Sequence, residues 1–267
     1  MSHQNTTFDQ RLLDSFPPLV RPIVRFVVEW LPLVIVAGLW EYVSGTVVPR
    51  SVLPPMTDVA GTAVTLLTTG EIIPHLTISL VRVALGLGAS IVVGVLLGVG
   101  MAQSDRVENF FDIFLTLLYP IPKTALVPLA LLWLGVGTEA AILIVFLACL
   151  LPIVLNSYNA AQDVDQNLIR SAQMMGTDGW RVTWKVLIPE TIPEILTGIR
   201  QAIPFAFIAL VSAEFIAANS GVGSQILAYG QIGNYRPMFA VIVIISITAY
   251  VAVRGFEGLK ERFVVWI

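Results

Sequence analysis

Charge is the scarcest thing in this sequence. Asp, Glu, Lys and Arg make up 12% of its 267 residues, about half of what soluble domains carry, too little to face water on every side. Cysteine is almost missing: Cys149 stands alone, which excludes an internal disulfide framework and any Cys-x-x-Cys zinc or redox motif. In its apolar run it reads as a small buried hydrophobe. The two histidines, His3 and His75, are too few and too far apart for a metal site. No Gly-Lys dipeptide occurs anywhere, so a Walker A loop is excluded, and ATP, if used, binds another chain. A net charge of −3 and a pI of about 5.4 leave no basic stripe for nucleic acid. No nucleophile–base pair, metal cluster or carboxylate dyad stands out, which argues against an enzyme. What is abundant is apolar: 56% hydrophobic residues and a mean hydropathy of +0.83. Twenty glycines and sixteen prolines sit inside apolar runs, as membrane helices tolerate. The composition is that of an all-α integral membrane bundle.

A spanning helix needs about 20 mostly apolar residues. Six segments approach that, roughly 31–49, 83–104, 112–134, 138–158, 198–218 and 237–254. The third is the most broken, with Pro120, Pro122, Lys123 and Pro128 inside it. The start, MSHQNTTFDQ, is polar and lacks the apolar core of a signal peptide. Residues 1–30 read as a cytoplasmic tail whose later part, 12–30, is an amphipathic segment at the membrane interface. With six spans and the N-terminus inside, the inner side holds Arg11, Arg21, Arg25, Arg106, Arg170, Arg181, Lys185, Arg254, Lys260 and Arg262. The outer side holds Arg50, Arg82 and Arg236. That bias places both termini in the cytoplasm. Outside, Thr57 or Asp58 can cap a short helix, TDVAGTAVTLL, that Gly70 ends and that is expected to lie along the surface.

Gly86, Ser90, Gly94 and Gly98 recur every four residues in the second span. Helical geometry puts them on one face, where small side chains let a second backbone approach closely. Ionisable residues at membrane depth are costly and serve as functional hypotheses. Glu139 reads as an outer turn residue, and Glu41 and Lys123 can snorkel. Lys123 and Glu214 are the candidates for a translocation path; for Glu214, pairing with another helix is an equal alternative.

The inner loop 158–197 differs from the rest. Asp163 and Asp165 suit a helix start, DQNLIRSAQMM is helical in pattern, and Gly176 is a natural stop. WRVTWKVLI follows as a second helix, ended by Pro189. Leu168, Ala172 and Met175 share one face of the first, and Trp180, Trp184 and Leu187 one face of the second. Two short amphipathic helices with tryptophans either cap the bundle or dock against a partner groove.

The stretch Arg170-Ser171-Ala172-x3-Gly176-x9-Val186-Leu187-Ile188-Pro189 resembles the EAA motif, E-A-A-x3-G-x9-I-x-L-P, of binding-protein-dependent ABC transporter permeases. Ala172, Gly176 and Pro189 match; Arg170 stands where the family usually has Glu, and Ser171 where it has Ala. YPIPKTALVP (119–128), LWLGVG (132–137), Ser212-Ala213-Glu214 and NSGVG (219–223) resemble the nitrate/sulfonate/taurine and thiamine-precursor branch. The resemblance implies a type I importer permease over residues 31–267, a multi-pass protein of the cell membrane, whose loop 158–197 couples to ABC ATPase subunits that bind the ATP. It also implies a second permease copy, here a homodimer, and an extracytoplasmic substrate-binding protein delivering a small solute. Arg170 would invert the sign of the family's charge at the ATPase joint. The rival readings are an ion-gradient-driven secondary transporter, which would call for repeats that the sequence does not show, and a non-transporting membrane assembly subunit.

Overall fold

The computed structural model describes residues 21–177, 179–217 and 219–263, with backbone only for 21–30, 217 and 263. Most of the tail, 1–20, lies outside the described residues. The chain divides into two compact units, 1–62 and 63–267.

In the first unit, helix α1 (Arg21–Val43) runs without a break across the expected boundary at residue 30. It stops at Val43, short of the expected end at 49. Helix-breaking Gly45 takes a left-handed φ of +86° there, and Ser44 Oγ donates to the Leu53 carbonyl at 2.7 Å. The turn leads to α2 (Met56–Thr68), the short helix expected on the outer surface. Glu41 accepts from the backbone N–H and hydroxyl of Thr57 at 3.1 and 2.9 Å. A carboxylate from α1 thus meets an orphan donor at the start of α2.

The second unit is built on three long helices, α3 (Ile73–Ala102), α6 (Thr138–Asp163) and α8 (Ile188–Ala217). Between α3 and α6 stand α4 (Asp105–Leu118) and α5 (Val127–Leu134); α9 (Val222–Gln231) and α10 (Tyr235–Phe263) close the chain. Gly86, Ser90, Gly94 and Gly98 form the seam of α3 on α6. A Cβ on Gly86 would lie 2.7 Å from Val145, one on Gly94 2.8 Å from Ile153, and one on Gly98 2.5 Å from the Val154 carbonyl. Ser90 Oγ donates across the seam to the Phe146 carbonyl at 2.8 Å. A second cluster, Val127, Ala130, Ala141, Ile144, Ala209 and Ala213, fastens α5, α6 and α8.

Among the described residues, four helices are long and apolar enough to cross a membrane: Ile73–Ala102, Thr138–Asp163, Trp180–Ile216 and Tyr235–Arg262. A fifth exists if α4 and the 123–134 segment count as one. That pair is the expected third span, and it is bent by 92°. Pro120 and Pro122 supply no N–H to continue the helix. Lys123 Nζ donates to the Leu118 carbonyl and to those of Ile121 (2.8 Å) and Tyr119 (3.5 Å), gathering carbonyls that the bend sets free. The count of six therefore needs the broken pair and the short apolar stretch Leu31–Val43 as well.

Two further expectations are corrected. The helix that carries the second span begins not near 83 but at Ile73, with Pro74 in the first turn where a missing N–H costs nothing. Arg82, counted as an outer-loop cation, is thereby carried inside a helix and is 2% exposed. Pro189 does not end a helix either. Trp180–Val182 passes through a π-helical turn, Thr183–Leu187, into α8. The wider turn accommodates the proline, a device common near functional sites.

Candidate functional site: docking loop, buried ion pair and cavity

The loop between α6 and α8 is ordered by local chemistry. Asp165 caps α7 (Gln166–Met174) by accepting from the Asn167 N–H at 2.8 Å, whereas Asp163 ends α6 rather than starting a helix. Gly176, at φ +82°, donates to the Gln173 carbonyl and Thr177 to that of Ala172. This is the paired closure of a Schellman motif, in which the left-handed position favours glycine. Ala172, Val182 and Leu187 turn inward, with Leu187 packing on Val99, Ala161 and Val164. Thr183 Oγ1 donates to Gln103 Oε1 at 2.7 Å, tying the π turn to the end of α3. Leu187 thus leaves the face of Trp180 and Trp184, because the π turn shifts the register, while Ala172 is buried beneath an exposed Leu168 on the same face of α7. The outer surface keeps Met174, Met175, Trp180 and Trp184, which are 82, 79, 70 and 59% exposed. Leu168, Arg170, Ser171 and Pro189 are exposed beside them.

At the opposite end of α8, Glu214 is fully buried and paired with Arg82 at 2.7 Å. All five guanidinium N–H donors are used. Nη1 donates to Glu214 Oε1 and to the Ser220 carbonyl (2.7 and 2.6 Å). Nη2 reaches Thr138 Oγ1 and Ser220 Oγ (3.0 and 3.1 Å), and Nε reaches Thr138 Oγ1 (3.3 Å). Ser79 Oγ donates to the carboxylate and accepts from the Val222 N–H at 2.9 Å. Gly223 N–H donates to Glu214 Oε2 at 2.8 Å, and Gly221 N–H to His75 Nδ1 at 3.2 Å. The carboxylate therefore sits at the N-terminus of α9, where orphan N–H groups and the helix dipole favour an anion. A Cβ on Gly221 would fall 2.2 Å from Glu214 Oε1, and Gly221 adopts φ +112°. The SAE and SGVG segments are thus two halves of one knot.

Sequence reasoning missed Arg82, Ser79, Thr138, Ser220 and His75. A signal was present: Arg82 precedes Gly86 by four residues and so continues the small-residue stripe, with Ser79 a turn before it.

Lys123, Glu214's companion among the path candidates, is not near this knot. It lies in the wall of a cavity of about 610 Å³ between the bend, α6 and α8. Its ammonium is directed to backbone carbonyls, so it contributes charge to the wall rather than a free donor. Asn156 and Gln201 face each other there, with Asn156 Nδ2 3.3 Å from Gln201 Oε1 and 2.7 Å from the Pro152 carbonyl.

Over residues 90–264 the chain matches the family described as binding-protein-dependent transport system inner membrane component. It is 34% identical over 192 residues to the taurine transport system permease protein TauC of Escherichia coli K12, covering 72% of this chain and 70% of that protein. It is 33% identical over 239 residues to the putative aliphatic sulfonates transport permease protein SsuC of Bacillus subtilis 168, covering 88% and 86%. Among solved structures, a chain of the inward-facing MetNI methionine ABC transporter aligns with a TM-score of 0.64 at 18% identity, covering 73% of this chain and 97% of that one. At that identity the likeness is one of fold.

Proposed function

Since the chain belongs to the binding-protein-dependent transport system inner membrane components, we propose that it acts as one of two identical permease subunits in a cell-membrane importer for small organic anions. As a member, it is the non-enzymatic, membrane-spanning permease subunit of an ATP-driven importer, whose ATPase is a separate subunit. In the proposed assembly the loop 164–187 lies in the cytoplasm and seats in the ATPase. A soluble binding protein delivers the solute on the other side. Substrate class is taken from the taurine and sulfonate relatives.

The observation that carries the docking role is the split character of the loop. Its underside, Ala172, Val182 and Leu187, is buried, while Met174, Met175, Trp180 and Trp184 project outward. A loop that only capped the bundle would bury its tryptophans. Large, stiff aromatics and adaptable methionines at an exposed helical surface suit a partner's groove. For ATP to drive transport, the ATPase must bind this loop with different affinity in the two transport states; equal affinity would shift nothing.

The test is co-purification of the tagged chain from its host in mild detergent, alongside Gly176→Pro. Proline's φ of about −65° is incompatible with +82°, so the variant disrupts the loop and spares the spanning helices. A Walker-type ATPase retained by the parent and lost with the variant is the expected result. A well-folded parent that retains none would remove the docking assignment.

A further inference from the structure

The 610 Å³ cavity has a chemistry that neither the loop nor the ion pair explains. Its walls are mainly apolar, with Leu155, Phe205 and Ile208 among them, and no Asp or Glu lines it. Asp112 lines an adjoining hollow of about 270 Å³ that shares Tyr119, Leu151 and Leu155 with the cavity. The one formal charge in the lining is that of Lys123. An apolar chamber with a positive wall favours an anion that carries a hydrocarbon part.

The orientation of the two amides follows from their partners. The Pro152 carbonyl can only accept, so the Asn156 group 2.7 Å from it must be the nitrogen. The second N–H of that nitrogen then donates to Gln201, whose facing atom must be oxygen. This leaves the Gln201 NH2 turned away from Asn156, with both of its donors unmet among the described residues. Asn156 is held in place, while Gln201 beside it is exposed. A Cβ on Gly198 would stand 2.6 Å from Asn156 Cβ, so the glycine lets Asn156 seat against α8. An oriented donor at the wall of an apolar cavity recognises a ligand with acceptor oxygens.

We propose that Gln201, oriented by Asn156, is the donor that contacts the oxyanion head of an organic anion crossing the cavity, with Phe205 and Ile208 taking its alkyl part. The proposal rests on the importer reading and adds the contact residue and the charge preference of the path. Gln201 binds and Asn156 positions it. A neutral amide suits a passage site: it selects against cations without holding an anion as tightly as a free lysine would.

The experiment is uptake of labelled ethanesulfonate and of 1-butanesulfonate into proteoliposomes holding the full importer, chain, ATPase and binding protein together. The parent is compared with Gln201→Glu and Gln201→Met. Placing a carboxylate beside the head should lower uptake of both probes about tenfold or more, the size of one like-charge contact in a partly wet cavity. Gln201→Met, which keeps the volume and loses the donor, should raise KM with a smaller loss in kcat. Both variants should retain the ATPase on purification and elute as the parent does on size exclusion, which separates a lost contact from a misfolded chain. Parental uptake by both variants overturns the proposal. A parent that hydrolyses ATP but carries neither probe overturns the anion assignment, here and in the proposed function, and leaves the ATP-driven importer standing. A parent that binds no ATPase overturns that reading and this proposal with it.

Discussion

Replacing Glu214 should destabilise the chain strongly, and the structure says why. Arg82 is 2% exposed and Glu214 fully buried, so each charge relies chiefly on the other, 2.7 Å away. Removing one partner of such a pair leaves an uncompensated buried charge and costs about 3–5 kcal/mol. Glu214→Ala also strips acceptors from Ser79 and from the Gly223 N–H, each adding about 1–3 kcal/mol if left unmet. Glu214→Gln keeps the shape and one acceptor oxygen, so it should fall at the lower end. On the scaling for chains of this size, about 2–4 °C per kcal/mol, the Gln variant should lose about 10 °C of thermal midpoint in detergent, and the Ala variant more. The double variant Arg82→Met/Glu214→Leu removes both charges together and should recover part of the loss, since a buried pair is often replaceable by apolar side chains of similar volume. The assay is the thermal midpoint of the purified chain, read by size exclusion after heating, across the cycle of Arg82→Met, Glu214→Leu and the double variant. A Gln variant within about 2 °C of the parent, or a double variant that simply sums the two singles, would refute the account of the pair as mutually compensating.

Two other outcomes follow from the packing and the loop. Gly98→Ala drives a Cβ to 2.5 Å from the Val154 carbonyl and 2.9 Å from the Tyr158 nitrogen; backbone cannot give way as a side chain does, so the cost should be about 1–3 kcal/mol. Gly88→Ala on the same helix meets nothing within 4 Å and should be neutral or stabilising by up to about 1 kcal/mol; equal thermal midpoints for the two variants would sink the seam. Trp184→Ala, at an exposed position, should leave the midpoint within about 2 °C of the parent, as surface changes do, yet weaken ATPase retention on washing about tenfold or more, as loss of an aromatic anchor does. Undiminished retention in a Trp180→Ala/Trp184→Ala double variant would count against the aromatic contact.

What the sequence discloses and what it hides divide along one physical line. Periodicity along a single helix is legible: the Gly86–Ser90–Gly94–Gly98 stripe predicts a close helix contact, and the structure supplies α6 as the partner. The turn at Gly176 is equally local, since a glycine after an amphipathic run foretells a left-handed closure, and φ is +82° there. The bend at Tyr119–Pro122 is half legible, because two prolines and a lysine announce a broken span but not a 92° one. Arg82 was misplaced for a different reason. Counting cations as loop markers assumes that charge stays in water, and the assumption fails when a carboxylate 132 residues away neutralises the charge inside the bundle. The same blindness hid Gln201, an ordinary polar residue until Asn156 and Pro152 dictate which of its atoms remains free. Pairing across long separations converts costly groups into tolerated ones, and no local pattern records it. Yet the cost itself leaves a trace. Glu214 sits in an apolar stretch that can hold it only if something distant answers its charge, so each isolated ionisable residue in a spanning segment implies a partner still to be found. Arg82, four residues before the first glycine of the stripe and on the same face, was the cation that sequence geometry already pointed inward.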